Sequence, residues 1–127
     1  MEYTIVTGHP KQLRSEIIEC VKKGEDSNGN DIHTWEVKSA TFKGKDGKEF
    51  TEDVLVHTTQ AWEEVGGLRL IVDEAGNSKL YAQFFYWSDY SKDQRDESQP
   101  LYLYGRVTEL LLVHFMEGIR SVMIKQE

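Results

Sequence analysis

The sequence predicts an α+β domain, a mainly antiparallel sheet of five or six strands with two principal helices packed on it. Three observations carry this reading. Residues 10–23 and 101–117 repeat apolar side chains at helical spacing. Several short runs are β-branched, aromatic or alternating, and two pairs of them flank turn-forming residues. The resulting order is strand, helix, hairpin, hairpin, helix, strand, and hairpins join neighbours antiparallel. A chain of 127 residues suits one domain, 1–127. A domain of that size buries about two-thirds of its unfolded surface, enough for a core without disulfides or metal.

In chain order, YTIVT (3–7) is a β-branched strand. In the helix that follows, Pro10 sits in the first turn, where no backbone donor is needed. Leu13, Ile17 and Val21 share one face with Ile18 beside them, and Lys22, Lys23 and Gly24 end the helix. EDSNGND (25–31) is loop by composition. HTWEVKSAT (33–41) alternates His33, Trp35 and Val37 with Thr34, Glu36 and Lys38. It turns at Asp46-Gly47 into EFTEDVLVH (49–57). TTQAWEEVGG (58–67) reads as one helical turn capped by Thr58 or Thr59 and stopped by Gly66-Gly67.

Residues 68–87 form the second hairpin, turning at 75–77. Its second strand is apolar on both faces, with Tyr81, Phe85 and Trp87 on one of them. Such a strand is central and covered, or its second face binds something. SDYSKDQRDESQ (88–99) is a charged loop expected to be mobile. Pro100 opens the second helix, Gly118 closes it, and IRSVMIK (119–125) is a last strand. The opening EYTIVTG…LRSEIIECVKKG is similar to the strand–helix start of a small bacterial domain of unknown function. In that domain a Gly-Trp stretch follows the helix; here GEDSNGND stands there, and the resemblance implies no activity.

The formal charge of −7, from 22 acidic and 15 basic residues, disfavours nucleic acid and leaves no basic stripe for it. No basic segment precedes an apolar one at the start, and no uncharged run approaches a bilayer span. The chain therefore reads as soluble and cytoplasmic. The single cysteine, Cys20, excludes an internal disulfide and reads as a small core residue near a helix end, where a thiol is a poor nucleophile.

At about 100° per residue, helix 101–117 gathers Tyr102, Arg106, Glu109 and Glu117 with Val113 on one wet stripe. Arg106 and Glu109 are spaced as a surface pair. Leu103, Tyr104, Val107, Leu110, Leu111, Leu112 and Phe115 form the buried face. His114 falls among them and reads as a neutral core histidine, bonded to backbone or to a strand polar group. None of the four histidines forms a close ligand pair, so no metal or other cofactor is expected. No P-loop or GxSxG is present, and the adjacent acid pairs 63–64 and 73–74 do not make a dyad.

The constellation that remains is aromatic and imidazole: His33, Trp35, His57, Tyr81, Phe85, Trp87 and His114. The expectation is a small acidic, non-catalytic protein-binding domain. It would neutralise a toxin, regulate by docking or self-associate, with a basic protein or a second copy as partner and no membrane. The alternative is a small-molecule binder or enzyme that uses an aromatic cleft with a histidine base.

Overall fold

The computed structural model describes residues 1–126. It is a single α+β domain: β1 (Glu2–Val6), α1 (Pro10–Lys23), β2 (Trp35–Lys43), β3 (Glu49–His57), β4 (Gly66–Val72), β5 (Lys79–Tyr86), α2 (Ser98–His114) and β6 (Ser121–Lys125). The six strands form one sheet in the order β2-β3-β4-β5-β1-β6, and every neighbouring pair is antiparallel.

Both helices lie on the same face. Tyr3 and Ile5 of β1, Leu55 of β3, Leu68 and Leu70 of β4, and Leu80 and Ala82 of β5 point toward them. They meet Leu13, Ile17, Ile18 and Val21 of α1 and Leu103, Val107, Leu110 and Leu111 of α2. Alternation puts each strand's other residues on the far face, where Ala40, Val54 and Val56 form a second, smaller buried group. β5 lies between β4 and β1, so its apolar character on both faces follows from a central position.

The helix α1 begins and ends where its proline, lysines and glycine direct, with Gly24 left-handed at φ 82°. The second helix starts earlier than Pro100 implies. The backbone N–H and hydroxyl of Ser98 both donate to the Asp96 carboxylate just ahead of the first turn. It also ends at His114, and a short 3-10 turn, Met116–Gly118, takes the chain to β6. Leu112, assigned above to the buried face, is exposed, because it lies on the side of α2 turned away from the core residues Leu103, Val107 and Leu110.

Gly66-Gly67 do not stop a turn; they begin β4. A Cβ on Gly66 would stand 1.9 Å from the Phe85 carbonyl oxygen, and one on Gly67 would stand 2.8 Å from that of Leu55. Both positions require glycine because neighbouring strands approach too closely for a side chain. Beyond them β3 and β4 separate, and Leu55 with Leu68 is the one paired register between them. The gap is plugged by Arg14 from α1, whose Nε donates to the Leu70 carbonyl oxygen at 2.8 Å. Glu52 lies between Arg14 and Arg69 and pairs with both.

Residues 88–97 connect β5 to α2, and one buried side chain ties them. The Gln99 Oε1 accepts from the Tyr86 hydroxyl and the Asp96 N–H, and its Nε2 donates to the Tyr90 hydroxyl and the Gln94 carbonyl.

Two glycine substitutions should move stability in opposite directions. Gly66→Ala should cost more than about 3 kcal/mol, because backbone must shift. Gly105→Ala, where a Cβ meets nothing within 4 Å, should gain about 0.5–1 kcal/mol in the helix. Urea unfolding of the two variants checks the pair.

Candidate functional site

A cleft of about 320 Å³ opens between the start of β2, the end of β3 and the C-terminal half of α2. It is lined by Trp35, His57, Thr59 and His33 on one side and by Arg106, Glu109, Leu110, Val113 and His114 on the other. The sequence places these groups by simple means. Trp35 and His57 are cross-strand partners at the mouth of the first hairpin, and both point to the helix face. Their rings lie 4.9 Å apart. Arg106, Glu109, Val113 and His114 recur along one side of α2.

His57 is buried, and both its nitrogens are engaged. Nδ1 lies 2.8 Å from the Thr34 carbonyl oxygen, which can only accept, so Nδ1 carries the proton. Nε2 lies 2.8 Å from the Thr59 hydroxyl. Burial holds the His57 pKa below its ordinary 6.5, against the opposing pull of the Thr34 carbonyl. Neutral His57 thus accepts the Thr59 proton at Nε2. That hydroxyl, expected above to cap the next turn, makes no cap bond. The turn itself, Thr59–Glu64, is kinked, with Gln60 and Ala61 in the left-handed region at φ 54° and 61°. Two successive non-glycine residues there are costly backbone, of the kind that accumulates beside functional positions.

The rest of the wall is braced by aromatic stacking. Trp62 lies flat on Tyr102 at 4.4 Å. The Tyr102 hydroxyl accepts from Arg106 Nε at 3.1 Å, and an Arg106 guanidinium nitrogen donates to Glu109 at 3.0 Å. So the stripe read as a surface ion pair does contain that pair, but it borders a cleft. His33 precedes β2 and is exposed, with Asp31 at 3.6 Å.

His114 is a correction to the sequence reading. Its partner is not backbone or a strand group but a carboxylate. Nδ1 donates to Asp26 Oδ2 at 2.7 Å, and both side chains are nearly out of solvent. The other Asp26 oxygen accepts the backbone N–H groups of Asn28 and Asn30, each at 2.9 Å. These donors, the His114 bond first, hold the Asp26 carboxyl well below its ordinary 3.8, at about 2. Nothing in EDSNGND marked Asp26 as buried; its composition reads only as loop.

The seven residues singled out in the sequence therefore divide. His33, Trp35, His57 and His114 meet in this cleft. Tyr81, Phe85 and Trp87 lie on the opposite face of the sheet. There Phe85 makes edge contacts with Phe42 and Trp87, and Arg69 rests over the Phe42 ring at 4.6 Å. The Trp87 indole N–H donates to the Glu63 carbonyl at 2.8 Å. Tyr81 donates its hydroxyl to Asp73. Thr59, Arg106 and Glu109 complete the cleft, and sequence reading had given them to a cap and a surface pair.

Beside Trp87 a wider groove of about 870 Å³ is lined by Glu63, Glu64, Asp89 and Tyr90 without a basic residue. Among the described residues, no group of three or more His, Cys, Asp or Glu side chains could hold a metal ion. Among the described residues, no helix is long and apolar enough to cross a membrane. Comparison with known proteins returned no family model, no curated protein and no solved structure that matches the chain.

The Asp26 bond implies a definite acid profile. Its folded pKa is depressed, so its contribution is full above 3.8 and is lost as pH falls through about 2. The stability difference between wild type and Asp26→Asn, read from urea midpoints, should be largest above pH 3.8 and shrink through that window. A difference independent of pH would contradict the bond.

Proposed function

We propose that the chain is a binding domain whose ligand is a small polar molecule held in the His57 cleft. One observation carries this: three histidines and an arginine–glutamate pair converge on a cleft of about 320 Å³ backed by Trp35. That volume lies in the range of small-molecule sites, and convergent polar groups beside a histidine of lowered pKa are their usual signature. The paired charges narrow the ligand. A molecule of one sign would satisfy Arg106 and face Glu109 as a like charge, or the reverse. A zwitterion of the amino-acid type meets both, with its apolar part against Trp35, Leu110 and Val113. Thr59, bonded to a neutral His57, offers the ligand a hydroxyl whose proton has a base behind it.

A second reading rests on the groove beside Trp87. Its three carboxylates and two aromatic rings, with no basic side chain, suit a basic segment of a protein partner. The net charge of −7 would steer such a partner toward the domain. A reducing compartment such as the cytoplasm suits a chain whose one cysteine is free.

Titration of tryptophan fluorescence and of the melting temperature with a panel of amino-acid-like zwitterions tests the first reading. A saturating response is expected. Arg106→Ala and Glu109→Ala should each weaken it about ten- to a hundred-fold, the worth of a hydrogen bond to a charged group. A panel without response rejects the zwitterion. If, in addition, a basic peptide binds and Glu63→Lys with Glu64→Lys abolishes that binding, the groove is the working surface.

A further inference from the structure

The sheet has two edge strands, β2 and β6, and they are treated differently. β2 carries Glu36, Lys38 and Lys43 along its length, charges that discourage another strand from adding on. β6 is Ser-Val-Met-Ile-Lys, with a single charge at its end. Its Met123 and Ile124 are 49% and 48% exposed, although neither is needed to cover the core.

The apolar surface continues from β6 onto α2. Ile124 is the cross-strand partner of Tyr3, and Tyr3 stacks on Tyr104 and bonds the Thr108 hydroxyl at 2.6 Å. α2 therefore runs beside β1, with β6 on the outer side. Leu101, Gly105, Thr108 and Leu112 fall on one stripe of α2, at spacings of three and four. Leu101 shares a shallow depression with Met1, Glu97, Pro100 and Gln126 at the end of β6. Leu101 and Leu112 are 45% and 52% exposed. Of the eight large apolar side chains left exposed among the described residues, Met123 and Ile124 lie on β6, Met1 and Leu101 border its end, and Met116 lies in the turn that leads to it. Such concentration on one flank marks an interface, since singly scattered apolar residues would not cluster.

Charge selects the occupant. A chain of −7 repels its own copies over most of its surface, so a contact between copies needs an uncharged, self-matching strip. The α2 stripe is uncharged, and β6 pairs with itself without conflict. In an antiparallel pairing of two β6 strands about a two-fold axis at Met123, Val122 faces Ile124 of the second copy. Ser121 then faces Lys125, and no like charges stand opposite. Glu97 stands at one end of this stripe, and the acidic groove that suits a basic partner lies elsewhere.

We propose that the chain forms a two-fold homodimer through its β6 edge, with Ile124, Leu101 and Leu112 as the apolar centre of the interface. The sheet then runs unbroken through both copies, and the free backbone groups of β6 are satisfied. This is independent of the ligand cleft, since none of its lining residues takes part.

Sedimentation equilibrium tests it. Wild type should show twice the 14.7 kDa chain mass at high micromolar concentration and dissociate on dilution. Ile124→Lys and Leu112→Glu should each give the single-chain mass with unchanged far-UV circular dichroism, while Phe50→Lys should remain dimeric. In the wild type, β6 amides should be protected from hydrogen exchange when concentrated and lose that protection when dilute. Wild type of single-chain mass at every concentration, a dimer unaffected by both variants, or β6 amides that exchange freely in the concentrated protein would each overturn the proposal.

Discussion

The bond between Asp26 and His114 holds together the part of the molecule on which a function can be built. It joins residues 88 positions apart in sequence, the loop after α1 and the last turn of α2. It ties the loop that leads toward β2 to the end of α2, and residues of both line one side or the other of the cleft. The bond is well suited to this because it is saturated. One carboxylate oxygen takes the imidazole and the other takes two backbone N–H groups, so the charge is compensated where water is excluded.

A second constraint acts on the sheet. Two strands that pair at a single register would normally leave buried backbone groups unsatisfied. Here Arg14 enters the gap from the helix side, and Arg69 approaches the same glutamate from the far side. The glycines before the split allow close approach, and the arginines after it fill the separation. The hairpin β2–β3 is thereby set apart from β4, and its far face closes over Val54 and Val56 with Phe42, Phe85 and Trp87. Those aromatics serve a second core, which separates them from the histidines they might have joined.

The elements themselves were legible. α1 was readable to its ends, because Pro10 and Gly24 constrain backbone locally. The first hairpin was readable at its turn, which Asp46-Gly47 marks, but not in its register: the loop takes three residues with Gly47 alone left-handed, and this pairs Trp35 with His57. The errors came where a residue's role depends on a distant group. Gly66-Gly67 looked like a stop signal because the crowding carbonyls belong to Leu55 and Phe85. Thr59 looked like a cap because its true acceptor is the ring of His57. Gln99 looked like loop, although its amide bonds Tyr86, Tyr90, Gln94 and Asp96.

By itself the sequence determined an acidic α+β chain with two helices, paired strands and an imidazole-rich set of candidate residues. Periodicity, turn chemistry and charge are properties of neighbours along the chain, and neighbours are what a sequence lists. Only the tertiary structure decided that His33, Trp35, His57 and His114 share a cleft while Tyr81, Phe85 and Trp87 face away. That division depends on which sheet face each helix covers and on a carboxylate 88 residues from its imidazole. Alternation tells which residues share a face, but not which face the helices will bury.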